Sequence, residues 1–235
     1  MNLNETMELL ESKGTEQTRK TFRRHGAPEP LFGVKVGDLK PIAKLIKGDQ
    51  ELALRLFATG NSDAMYLAGM VADGAKMKRA ELDRWASSAN WQMISGTTVP
   101  WVAAEHPDAI DIASIWIDSA KENIAVAGWA TLSAVVCVRP DSELPINAIA
   151  ILLDRVAETI HSSQNRVRYA MNNFVICCGT YVAPLAEQAL AKAKKIGPVK
   201  VDMGETACQV PEAESYILKC RRGLPVAPKR KTIRC

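Results

Sequence analysis

Apolar residues recur at helical spacing along nearly all of this sequence, and glycine or proline breaks the pattern at short intervals. Leu39, Ile42, Ala43, Leu45 and Ile46 keep the helical period, and Leu52, Leu54, Leu56 and Phe57 resume it after Asp49. Breakers stand at Gly14, Gly26 to Pro30, Gly48, Gly60, Gly74, Pro107, Pro140 to Pro145, Gly179 and Gly197, leaving stretches of roughly ten to seventeen residues. The pattern predicts a nearly all-α fold whose connections are short, as in stacked helical hairpins.

Two segments also align with each other without gaps. Asn123 to Leu132 (NIAVAGWATL) matches Asn165 to Phe174 (NRVRYAMNNF) at an offset of 42, and Asp63 to Gly69 has the same look. Each follows a helix ending in bulky apolar residues: Leu56-Phe57, Trp116-Ile117 and Val156 to Ile160. A period near 42 is that of HEAT-type repeats, in which a hairpin buries its apolar face only against its neighbours. We therefore expect an all-α, HEAT-like repeat α-solenoid, a superhelix of antiparallel helix pairs forming a single domain over residues 1–235. A globular helical bundle is the alternative. One stretch departs from the helical period: residues 199–210 alternate along their first arm and carry Asp202-Met203-Gly204-Glu205 at the centre, which predicts a β-hairpin, or else a loop capping the last repeat.

Composition narrows the class. With 47% hydrophobic and 24% charged residues, the chain is neither disordered nor collagen-like. Its longest weakly polar run, Ile124 to Val138, is too short to span a bilayer. An amphipathic N-terminus with Glu5, Glu8 and Glu11 does not resemble a secretory signal, so a cytoplasmic protein is expected. Six scattered cysteines, Cys137, Cys177, Cys178, Cys208, Cys220 and Cys235, show no disulfide-scaffold spacing and are read as reduced thiols. They form no zinc-type pairs, and His25, His106 and His161 lie far apart, so no metal site is expected. No dinucleotide, P-loop, nucleophile-elbow or zincin motif occurs, and no cofactor is expected.

Charge is uneven along the chain. Residues 161–235 hold thirteen Lys and Arg against five Asp and Glu, whereas residues 101–160 hold three against nine. A basic third is the footprint of a polyanion-binding face, although a basic tail also serves simply as a solubilising segment. Arg166 and Arg168 open a predicted helix after Ser162-Ser163, where backbone N–H groups also attract phosphate. Lys192, Lys194 and Lys195 precede the expected hairpin, which carries Lys200 and, at its turn, Met203. Arg19, Lys20, Arg23, Arg24, Lys35, Lys40 and Lys44 form a second cluster. The five tryptophans, Trp85, Trp91, Trp101, Trp116 and Trp129, could line an aromatic pocket, but core packing explains them more simply.

The segment Leu31 to Lys44 (LFGVKVGDLKPIAK), the following Leu52 to Phe57 (LALRLF) and the helix around Trp91 resemble the AlkD-type HEAT-like repeat DNA glycosylases of the DNA alkylation repair superfamily. The resemblance covers most of the chain and implies an all-helical solenoid that binds duplex DNA and excises cationic alkylpurines such as 3-methyladenine and 7-methylguanine. The family's aspartate four residues after a tryptophan corresponds to Ser95 in Trp91-Gln-Met-Ile-Ser95. A second family tryptophan falls on Phe174, and a pocket arginine falls near Gly128. Serine offers a neutral dipole where an anionic group would stabilise developing positive charge, so the resemblance implies a degenerate pocket at Trp91, Ser95, Gly128 and Phe174 and no confident catalytic residue. These departures, the 199–210 segment and the basic tail over 221–235 with Lys229, Arg230 and Lys231 are similar to the AlkF/AlkG-like branch. That branch is associated with branched or junction DNA and little or no base excision. A protein-interaction scaffold is a separate reading, since such solenoids also bind partner helices.

Overall fold

Four helix starts follow capping residues that the sequence supplies. Asn2 and Glu5 form a reciprocal capping box at the head of α1 (Leu3–Lys13), and Thr15 caps α2 (Glu16–Arg24). Asp49 caps α4 (Gln50–Ala58), and Asn61 caps α5 (Ser62–Val71) through two backbone N–H groups. The computed structural model describes residues 1–234; it is 68% helical, with thirteen α-helices and no strand among the described residues. No single helix among them is long and apolar enough to cross a membrane.

The chain divides into two compact units. Unit 1 holds residues 1–108, 203–207 and Arg234, and unit 2 holds residues 109–202 and 208–233. Unit 1 is built from α1, α2, α3 (Val36–Leu45), α4, α5, α6 (Arg79–Ser88), a π-helical turn (Ile94–Thr98) and α7 (Val99–Ala103). Here the tryptophans are core: Phe57 stacks on Trp85 with ring centroids 3.9 Å apart, and Tyr66 meets Trp101 edge-on at 5.4 Å. Buried Asp63 at the head of α5 accepts the backbone N–H groups of Phe32 (2.7 Å), Gly33 (3.0 Å) and Val34 (2.8 Å), fastening the loop before α3.

Unit 2 contains α8 (Ala109–Trp116), α9 (Glu122–Val138), α10 (Ile146–Thr159), α11 (Asn165–Tyr181), α12 (Ala186–Ile196) and α13 (Ala213–Arg221). The two segments aligned at an offset of 42 lie in α9 and α11, which pack together and bring Trp129 and Phe174 within 5.3 Å, both fully buried. The same interval recurs in hydrogen bonds. Asp141 accepts the N–H of Ala183 at 2.9 Å, and Arg221 donates to the Gly179 carbonyl at 2.8 Å, each pair 42 residues apart. Gly179, expected to break a helix, instead lies inside α11, because α13 approaches so closely that an added Cβ would stand 2.6 Å from Ile217.

The predicted β-hairpin over 199–210 is not present. Its backbone groups are claimed elsewhere: Asn165 takes both sides of Asp202, its Oδ1 accepting the N–H at 2.7 Å and its Nδ2 donating to the carbonyl at 2.9 Å. Thr206 closes a tight local turn, its N–H donating to the Gly204 carbonyl at 2.7 Å and its hydroxyl to Met203. With the centre of the segment engaged this way and no strand pairing among the described residues, residues 199–210 form an extended connection between α12 and α13. Cys137, Cys177, Cys178, Cys208 and Cys220 take part in no disulfide among the described residues; Cys235 lies outside the described residues.

Candidate nucleic-acid interface

The four positions that the resemblance places in a base-binding pocket are all interior. In unit 1, Trp91 is 6% exposed; its indole N–H donates to the His25 carbonyl at 2.8 Å, and its ring meets Phe22 at 5.2 Å. Ser95 lies in the π-helical turn, buried, with its hydroxyl on the Trp91 carbonyl at 3.3 Å. The crevice under Trp91 is about 10 Å³, room for one water and no base. Asp63 lines that crevice and is the carboxylate the sequence reading passed over as part of a repeat. Burial pushes its pKa up, the three N–H donors pull it back, and both oxygens are committed to backbone. A larger cavity of about 380 Å³ opens beside Phe57, Met65 and Trp85, with only Arg84 and Ser88 as polar side chains, so it offers no anionic group.

In unit 2, Phe174 is wholly buried against Trp129. Gly128 is where α9 crosses α8: a Cβ there would meet the Ile117 nitrogen at 2.7 Å and the Ala113 carbonyl oxygen at 2.9 Å, so no arginine fits at this position. The cation over Trp129 is Arg155, 5.8 Å from the ring centroid and paired with Asp118 at 2.7 Å.

The basic residues separate into structural and surface groups. At the head of α11 the N–H of Arg166 is taken by the Glu122 carboxylate at 2.7 Å, so this terminus is already capped rather than open to phosphate. Arg168 is half-buried and donates to Asn165. Lys229 donates to the Val136 carbonyl (2.9 Å) and pairs with Asp141 (2.7 Å), while the Arg230 N–H donates to Cys137 and the Ala227 N–H to Thr180. The tail thus satisfies carbonyls at the ends of α9 and α11. Arg221 belongs to α13 and is buried against Gly179, Ala186 and Glu187. Exposed side chains remain at Lys194 and Lys195 in the last turn of α12, at Lys200, and at Arg230 and Lys231; Met203 is half-buried in unit 1. Lys192 is held by Asp154. In the N-terminal cluster, Arg19 (2.9 Å) and Arg23 both bind Glu29, and their hydrogen bonds lower its carboxyl to about 2.

Paired helices repeating at about 42 residues, with aromatic interiors and a lysine-bearing surface, define a helical-repeat protein. The model of the DNA alkylation repair enzyme family matches residues 6–213, and the chain belongs to that family. Two relatives, the uncharacterized proteins Lmo0209 of Listeria monocytogenes and Lin0241 of Listeria innocua, are each 36% identical over 219 residues, covering 90% of this chain and 94% of theirs. A solved structure described as "A new family of proteins related to the HEAT-like repeat DNA glycosylases with affinity for branched DNA structures" is 39% identical, with a TM-score of 0.92 over 100% of both chains. The all-helical, HEAT-like repeat expectation agrees with this match.

Proposed function

We propose that this protein binds DNA as a structure-selective member of its family, prefers branched over plain duplex DNA, and releases alkylated bases feebly or not at all. The observation that carries the reading is the full-length likeness, at 39% identity, to a structure from a family with affinity for branched DNA. The interior supports the second half. The resemblance puts Ser95 in the place of the family's carboxylate; its hydroxyl is bound to the Trp91 carbonyl, and Trp91 is pinned to His25. Excising a cationic base builds positive charge on the sugar, and a missing anionic stabiliser costs on the order of a hundredfold or more in rate. Lys194, Lys195, Lys200, Arg230 and Lys231 are the side chains we assign to phosphate, together with Arg166 of α11. Lys229 and Arg168 act in folding.

The test is a base-release assay on DNA carrying 3-methyladenine and 7-methylguanine, run beside binding titrations at several salt concentrations. Release near background and binding that falls steeply with salt are expected. Robust release that is abolished by Ser95→Ala or Trp91→Ala would restore the glycosylase reading.

A further inference from the structure

Thirteen aromatic residues occur in this chain, and among the described residues only two are exposed, Tyr169 at 37% and Tyr216 at 42%. They stand on α11 and α13, which pack directly against each other in unit 2. That contact is firmly built. Gly179 lets Ile217 approach, the Asn172 side chain donates to the Pro211 carbonyl at 2.9 Å, and Arg221 bonds the Gly179 carbonyl. Burial first, then the neighbouring Tyr216 and Cys208, raises the Tyr169 hydroxyl, while Arg166 pulls it back. Each also has a cation at helical i,i+3 spacing. Arg166 lies one turn before Tyr169, and the Lys219 ammonium lies 5.9 Å over the Tyr216 ring.

Core aromatics need no such neighbours, and a solvating face has no use for rings at its surface. An aromatic pair interleaved with cations matches one chemistry well, a nucleobase stacked on a ring with its phosphate held by a neighbouring charge. Bases within an intact duplex have both faces covered by their neighbours. Bases at a branch point or in a single strand do not.

We propose that Tyr169 and Tyr216, with Arg166 and Lys219, form a stacking platform for unpaired nucleotides. This rests on the DNA-binding reading above and locates where a branch would be told from a duplex. The platform requires no movement of the core, because both tyrosines are already partly exposed.

The experiment compares wild type with a Tyr169→Ala, Tyr216→Ala double variant and a Tyr169→Phe, Tyr216→Phe double variant. The probes are an oligothymidylate single strand, a three-way junction with unpaired bases at the branch, and a duplex of equal length, at matched salt. The alanine pair should weaken binding to the single strand and to the three-way junction at least about tenfold and change duplex binding less than about twofold; the phenylalanine pair should stay near wild type. Photocrosslinking of bromodeoxyuridine-substituted single strand to the unmodified protein, mapped by mass spectrometry, should mark Tyr169 or Tyr216 and needs no variant to fold. Unchanged single-strand binding, an equal loss on every probe, or crosslinks confined to other residues overturns the platform and leaves this face to a protein partner. Absence of DNA binding by the wild type overturns the DNA-binding reading as well.

Discussion

Gly128 offers the sharpest test of the packing. It lies within α9, where replacing glycine by alanine ordinarily favours a helix by about 1 kcal/mol. Here an added Cβ would stand 2.7 Å from the Ile117 nitrogen and 2.9 Å from the Ala113 carbonyl oxygen, against the 3.4–4 Å of ordinary contact. Both atoms are backbone, Ala113 within α8 and Ile117 one residue past its end, so this end of α8 must retreat by about 0.7 Å from a buried interface. Against two backbone atoms the cost lies in the upper half of the overpacking range, about 2–3 kcal/mol, and outweighs the propensity gain, leaving Gly128→Ala about 1–2 kcal/mol less stable. For a chain of this size that is a fall in Tm of roughly 2–8 °C, read by far-UV circular dichroism. The control is Gly37→Ala in α3, where nothing lies within 4 Å of an added Cβ; it should gain about 0.4–1 kcal/mol. A Gly128→Ala protein melting at or above wild type would refute the close α8–α9 crossing and the exclusion of a side chain from it.

Other expectations follow from the remaining contacts. Lys229→Ala should lower stability by about 1 kcal/mol while leaving the salt slope of DNA binding unchanged, because Lys229 binds the Val136 carbonyl and Asp141. Lys194→Ala with Lys195→Ala should do the reverse, flattening the salt slope by about two units without moving Tm. Asp63→Ala strips the acceptor from three backbone N–H groups and should cost roughly 3 kcal/mol or more, measured by urea denaturation. Glu29 has a folded pKa of about 2 against an ordinary 4.5, so its contribution is present above 4.5 and lost as pH falls toward 2; the Tm gap between wild type and Glu29→Gln should be widest near neutrality and close below about pH 2.

The helices and their period were legible because both are local patterns. Asp49 and Asn61 cap where their residue types suggest, and the offset of 42 between Asn123 and Asn165 is the spacing at which α9 and α11 pack. The hairpin expectation fails for a reason that local pattern cannot reveal. Val199 is buried and Lys200 exposed, so the alternation is real, but the hydrogen bonds of Asp202 go to Asn165, 37 residues away. The roles of the basic residues were illegible for the same reason. Nothing near Lys229 in sequence points to Val136, 93 residues distant, and nothing near Arg221 points to Gly179. Spacing identified where cations cluster; only the fold separates those that complete helix ends from those left at the surface.

The claim that matters most is preference for branched DNA without excision. Its most direct test is competition at one salt concentration, with labelled four-way junction held by the protein and displaced by unlabelled junction or by duplex of equal length and charge. Displacement by junction at a concentration at least about tenfold below that of duplex is expected, a difference of about 1.4 kcal/mol. Equal displacement by the two would contradict it.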